Sequence, residues 1–216
     1  DRYLYIPVIG FCLAVTASLA VPFRRIIKTD KAADIASLVV VVLILCLYTP
    51  VTVARNRDWK DGLTLWSKAV EQSPESGVAR GSLGRAFQQR GMLAEAIAEY
   101  EAAVKLMPSH FKAYYNLGVI YDQQNDIERA SANYKKSIRI NPGFVNAHFN
   151  LANLYQKNGL TGRAVERYRT VIKLSPDDIE ARNNLGVAYA MQGKLEQAIA
   201  AWEGVLKIDP ANISAK

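Results

Sequence analysis

The chain has 216 residues, a net charge of +7 and half of its residues apolar, but neither charge nor hydropathy is spread evenly. Residues 1–60 hold eight Lys/Arg against four Asp/Glu and the remainder 19 against 16, so the polar part is nearly balanced and has no basic run to suit a nucleic-acid partner. Cys12 and Cys46 both lie inside uncharged apolar stretches, which excludes a disulfide framework and gives them packing roles, while His110 and His148 have no Cys or acidic neighbour at ligand spacing and read as surface residues, with no metal site and no cofactor in this chain.

Tyr3 to Phe23 contains no charged residue, and neither does Ile35 to Ala54. At ~1.5 Å rise per residue, stretches of about 20 residues cross the ~30 Å hydrocarbon core of a bilayer. The prediction is a two-span transmembrane hairpin over residues 1–57, with spans at 3–23 and 35–54 and the lipid bilayer as a partner. The first run is too long for a signal peptide and has no basic leader behind Asp1-Arg2. The connecting loop carries Arg24, Arg25, Lys28 and Lys31, and the opposite side carries Arg2, Arg55, Arg57 and Lys60, so basic counts alone leave the orientation open.

Residues 58–76 hold a single helix, Trp59 to Gln72, with Asp58 as its N-cap and Pro74 as its stop. From Gly77 onward the sequence repeats every 34 residues without insertion, in units 77–110, 111–144, 145–178 and 179–212. Each unit places a Leu-Gly or Leu-Ala pair in its first helix (Leu83-Gly84, Leu117-Gly118, Leu151-Ala152, Leu185-Gly186) and Gly91, Asn125, Gly159 or Gly193 at the turn. Ala96, Ala130, Ala164 and Ala198 follow, then Tyr100, Tyr134, Tyr168 and Trp202, and finally Pro108, Pro142, Pro176 and Pro210.

This pattern resembles the tetratricopeptide (TPR) repeat, a helix–turn–helix unit that must stack on its neighbours to bury both of its faces. Gly or Asn at the turn accepts a left-handed backbone, and Pro stops the second helix. The small residue of the first helix is expected to meet the early Ala of the second at their crossing. The 58–76 segment then supplies the second helix of a half repeat, and residues 213–216 only begin a further helix. The fold class expected is all-α: two transmembrane helices followed by a TPR α-solenoid of a half repeat plus four 34-residue repeats. Without an initiator Met, the chain reads as part of something longer.

The opening Asp1-Arg2-Tyr3-Leu4-Tyr5-Ile6-Pro7, the two spans, the junction Arg55-Asn56-Arg57-Asp58-Trp59 and the repeats, in that order, resemble the transmembrane-and-TPR O-mannosyltransferase family. That family joins a multi-span glycosyltransferase-C membrane domain to C-terminal TPRs. The resemblance implies a parent enzyme that moves a sugar from a polyprenyl-phosphate donor to a protein hydroxyl, with its catalytic acidic residues upstream of Asp1 and none in this chain. It also implies repeats on the non-cytoplasmic side. The general look of the junction and repeats points to a bacterial inner membrane with periplasmic TPRs, with the endoplasmic reticulum and luminal TPRs as the alternative. The other function class that fits is a non-enzymatic, membrane-anchored TPR assembly factor of the cell envelope.

Candidate site residues fall in two places. Arg2 could grip the donor's phosphate bidentately, with Tyr3 and Tyr5 nearby, although all three also suit an interfacial anchor. Asn116, Asn150 and Asn184 recur at 34-residue spacing on the first helices, where side-chain amides can pair with the backbone of an extended peptide or protein, as a similar ladder does in the O-GlcNAc transferase family. Ser82 breaks the series in the first unit. Tyr115 and Phe149 stand beside the ladder as aromatic contacts, with Arg85, Lys112, Asp122, Asn153 and Gln156 lining the same groove.

Overall fold

The computed structural model describes residues 62–211, together with Val39. Apart from Val39, the two expected spans and their loop lie outside the described residues, as do Asp58, residues 212–216 and Arg2, Tyr3 and Tyr5. Among the described residues no helix is long and apolar enough to cross a membrane.

Helix α1 (Gly62–Gln72) is the helix expected of the half repeat, and four antiparallel pairs follow it. These are α2 (Gly77–Gln89) with α3 (Leu93–Leu106), α4 (Phe111–Gln123) with α5 (Ile127–Ile140), α6 (Val145–Lys157) with α7 (Thr161–Leu174), and α8 (Ile179–Met191) with α9 (Leu195–Ile208). The first helix of each pair begins at the residue where the sequence period places it.

Local chemistry fixes the ends. Ser76 and Asp178 accept the N–H of Ala79 and Ala181 at 3.2 and 2.9 Å, and so cap α2 and α8. Asp126 caps α5 in the same way through Arg129 N at 2.9 Å. At the turn inside each pair Gly91, Asn125, Gly159 and Gly193 have φ between 57° and 74°. The residue after each then donates to the carbonyl five positions back, as Asp126 N does to Tyr121 O at 2.8 Å, which closes the helix with a Schellman turn. The four prolines stand just beyond the C-caps of α3, α5, α7 and α9.

The core runs through the whole stack. Ala96, Ala130, Ala164 and Ala198 are fully buried, and Tyr100, Tyr134 and Tyr168 are no more than 1% exposed. In three of the four first helices the small residue, Gly84, Gly118 or Gly186, lies against this aromatic ring. A Cβ added at Gly84 would lie 2.9 Å from Tyr100 Cδ1, and one at Gly118 2.6 Å from Tyr134 Cδ1. Gly186 faces the Trp202 indole in the same way. Each second helix also packs on the next unit's first helix, and neighbouring first helices touch, α2 against α4 and α4 against α6. The first helices therefore line the inner side of the stack.

Both histidines depart from the surface role expected of them. His148 is 3% exposed, and its Nε2 lies 2.9 Å from the Pro142 carbonyl. His110 caps α4, its Nδ1 accepting Ala113 N at 3.3 Å, and its ring covers Gly81, where an added Cβ would come within 2.6 Å of Nε2. The His148 contact belongs to a recurring tie between units that periodicity of apolar residues does not reveal. Arg80 Nε donates to the Pro74 carbonyl at 2.9 Å, and Arg182 donates to that of Pro176 through Nε and Nη2 at 3.1 and 2.8 Å. In α2, α6 and α8 the fourth residue thus meets the carbonyl of the proline just before that helix, while α4 carries Tyr114 at this place.

Candidate peptide-binding face

The three ladder asparagines sit on the inner helices, Asn116 on α4, Asn150 on α6 and Asn184 on α8, each half-buried. Their amide nitrogens are spent inside the protein. Asn116 Nδ2 donates to Tyr100 Oη at 2.9 Å, and that phenol donates onward to Gln88 Oε1 at 2.8 Å. Asn150 Nδ2 donates to Tyr115 Oη at 3.1 Å, and the amide also faces the hydroxyl of Tyr134. Asn184 Nδ2 is 3.4 Å from Asn153 Oδ1, which accepts the Tyr168 hydroxyl at 2.6 Å.

The geometry follows from the repeat. Tyr100, Tyr134 and Tyr168 end at the inner side of the stack, where the next unit's asparagine meets them. Burial pushes the Tyr100 phenol up to about 12, against a smaller downward pull from Asn116. Burial likewise pushes Tyr134 and Tyr168 upward. All three phenols stay protonated, and because Tyr100 and Tyr168 donate to an amide oxygen, the carboxamide orientation around them is fixed. The ladder is therefore braced from below, with nitrogens turned inward. Among the described residues no donor reaches Oδ1 of Asn116, Asn150 or Asn184.

Tyr115 and Phe149 take structural positions beside it. The Tyr115 ring stands edge-on to Phe144 at 5.1 Å and lies 6.0 Å from Tyr134, while Phe149 is edge-on to Tyr168 at 6.1 Å. Both are partly buried against the core. A shallow cavity of about 320 Å³ opens between α4 and α6, lined by Val119, Asp122, Tyr134, Asn150, Asn153 and Lys157. Lys157 Nζ spans it, 2.9 Å from Asn125 Oδ1 and 3.9 Å from Asp122. Of the other expected lining residues, Arg85 and Lys112 are exposed. The sequence reading named the asparagines as groove candidates and did not foresee their internal partners, Tyr100 for Asn116, Tyr115 for Asn150 and Asn153 for Asn184. Among the described residues no cluster of His, Cys, Asp and Glu could hold a metal ion.

The comparisons with known proteins bear on the repeat fold. A tetratricopeptide repeat model matches residues 149–213, and a TPR repeat model matches residues 84–125 and 120–159. The chain is 30% identical over 110 residues to the protein O-mannosyl-transferase F38B6.6 of Caenorhabditis elegans, which is 51% of this chain and 15% of that protein. It is 28% identical over 110 residues to protein O-mannosyl-transferase TMTC1 of Mus musculus, and 32% over 108 residues to tmtc2 of Xenopus laevis, covering 51% and 48% of this chain. The matched segment is 11% of the mouse protein and 12% of the frog protein, so the chain spans a small part of these relatives. Among solved structures, MamA superposes with a TM-score of 0.66 at 22% identity, over 73% of this chain and 92% of its own. YrrB, described as a TPR protein with an unusual peptide-binding site, gives 0.62 at 20% identity, over 76% and 84%. At such identities these two speak for the fold alone. Residues 84–213 are tetratricopeptide repeats, and across the repeat region the chain is homologous to the protein O-mannosyl-transferases.

Proposed function

We propose that the repeats hold an extended acceptor polypeptide for a membrane-embedded O-mannosyltransferase of which this chain is the C-terminal part. The observation that carries this reading is the braced ladder. Three carboxamide oxygens on the inner helices have no internal donor, and a tyrosine hydroxyl or a neighbouring amide fixes each nitrogen. Such an oxygen accepts a backbone N–H from any peptide sequence, which suits an enzyme with varied acceptors. Preorganised side chains also lose little entropy when the peptide arrives. The mixed charges beside the ladder, Asp122 against Lys157, favour an uncharged backbone over a strongly charged ligand.

In this reading the segments at 3–23 and 35–54 anchor the repeats to the membrane on its non-cytoplasmic side. Arg2, Tyr3 and Tyr5 then stand next to the polyprenyl-phosphate sugar donor, while the catalytic groups belong to the upstream membrane domain. The repeats contribute by raising the acceptor's local concentration, on the order of mM for a short tether. The test is sugar transfer by the full-length parent protein to an unfolded acceptor. Replacing Asn116, Asn150 and Asn184 with Ala together should raise KM for the acceptor by about tenfold and leave kcat in place, because the loss is in ground-state binding. An unchanged KM would remove the ladder from acceptor binding. Intact acceptor binding without any sugar transfer by the unmodified parent would point to an assembly factor instead.

A further inference from the structure

The second helices differ sharply in charge along the stack. Helix α3 carries Glu95, Glu99 and Glu101 against Lys105, and α9 carries Glu196 and Glu203 against Lys207. Between them α5 carries Arg129, Lys135, Lys136 and Arg139 against Glu128, and α7 carries Arg163, Arg167, Arg169 and Lys173 against Glu166. The excess is concentrated at a cleft of about 450 Å³ between α5, α6 and α7, on the side of the second helices. Leu151 and Tyr155 floor it, and Lys135, Arg139, Arg163 and Arg167 rim it. Among the described residues none of these four cations reaches a carboxylate, whereas Arg80, Arg129 and Lys157 each do.

The repeat itself shows what the cleft is built to receive. One unit earlier, Glu101, Tyr121 and Arg129 occupy the places of Lys135, Tyr155 and Arg163. There Tyr121 Oη donates to Glu101 Oε1 at 3.2 Å, and the Arg129 guanidinium lies 4.3 Å from the ring centroid, so that site is neutralised from within. In the cleft the internal carboxylate is replaced by an ammonium. Lys135 and Arg163 flank the Tyr155 ring at 5.9 and 5.8 Å, and the Tyr155 hydroxyl has no hydrogen-bond partner among the described residues.

We propose that this cleft docks an acidic segment of a partner protein, one of whose carboxylates takes the place that Glu101 fills in the unit before. That carboxylate accepts from Tyr155 Oη and lies between Lys135 and Arg163, while an apolar neighbour on the segment covers Leu151. The apolar floor favours a peptide over a bare phosphate, and Glu166 at the rim disfavours an anionic lipid surface. This surface is separate from the inner ladder, so its occupation does not depend on the acceptor reading.

The probe is a fluorescent peptide of alternating Glu and Leu, titrated against the whole 216-residue chain in neutral detergent. Saturable binding that weakens as salt is added is expected. Lys135→Glu rebuilds the self-neutralised arrangement of the preceding unit and should weaken binding about tenfold, the loss expected for charge-assisted hydrogen bonds. Arg163→Gln gives a second, milder variant on an exposed helix position, and Lys207→Glu on α9, away from both the cleft and the ladder, should leave binding unchanged. No saturable binding, equal loss in Lys207→Glu, or wild-type affinity in Lys135→Glu would overturn the proposal. So would displacement of the peptide by inorganic phosphate or by phosphatidylserine vesicles, because the shared chemistry would then be phosphate.

Discussion

At the scale of single residues, space and protonation decide most outcomes. Gly118 and Gly162 are both helical glycines, and replacing either with Ala gains about 1 kcal/mol of helix propensity. At Gly162 nothing lies within 4 Å of the new Cβ, so the gain stands and Gly162→Ala should raise the melting temperature. At Gly118 the Cβ meets the Tyr134 ring at 2.6 Å, and overpacking of a filled core costs about 1–3 kcal/mol, so Gly118→Ala should be destabilised. Chemical denaturation of the pair reads both signs at once. Ser137 is a fully buried hydroxyl without a partner at a position where the other units carry Ala103, Val171 and Val205. Ser137→Ala should therefore gain about 1 kcal/mol by removing an unmet polar group. A loss in the same denaturation series would show that the hydroxyl has a partner. His148 adds a pH dependence. Burial, ahead of repulsion from Arg167, lowers its pKa below the ordinary 6.5, so the folded state prefers the neutral ring. Below 6.5 the unfolded chain binds the proton first, and stability falls as the pH drops until the folded-state pKa is passed. His110 is lowered by burial too and works in the same direction. His148→Gln should flatten the melting temperature between neutral pH and pH 5 relative to the parent protein, and an unaltered slope would assign that dependence elsewhere.

At the scale of elements, the helices show which sequence signals carry physical content. All four first helices start where the 34-residue period puts them, because the small residue, the aromatic residue and the proline each answer a steric demand that recurs in every unit. The polar ties between units were harder to foresee. Tyr100 with Asn116, and His148 with Pro142, join residues that are common on surfaces, and nothing in their type says that a phenol or carbonyl waits across the interface. The two histidines were misplaced for that reason. A polar side chain is buried at little cost wherever a neighbouring unit supplies its partner, and apolar periodicity is blind to that. The caps vary as well, since α2, α4 and α8 have side-chain N-caps while Phe144 offers none to α6. Asp178→Ala should accordingly cost about 1 kcal/mol, whereas Asp178→Ser keeps an acceptor for Ala181 N and should cost a few tenths. Faster amide exchange confined to the first turn of α8 would identify the cap as the cause.

At the scale of the whole repeat stack, the packing among the described helices joins each unit to the next, so stability is a sum of unit and interface contributions. The inter-unit ties make the units interchangeable in a specific way. Removing residues 144–177, one full period, joins Gly143 to Asp178 and preserves the N-cap of α8. Asn184 then arrives opposite Tyr134, where Asn150 was, and Arg182 arrives opposite the Pro142 carbonyl, where His148 was. The guanidinium already makes that bond to Pro176 in the intact chain, so the new junction has both of its polar ties available. What it loses is the ring of Phe144, which stands edge-on to Phe111 and Tyr115 at 5.1 Å in both cases. Losing even a fully buried aromatic costs about 3–5 kcal/mol, and Phe144 is only partly buried, so a stack of the remaining units absorbs the loss by melting earlier without coming apart. The shortened chain should keep the same helicity per repeat residue by circular dichroism and show a lower melting temperature. It should also lose the acidic-peptide binding assigned to the cleft, since α6 and α7 are gone. Helical signal falling well beyond the share of the deleted unit would mean that the units are not exchangeable and that the ties are specific to their present neighbours.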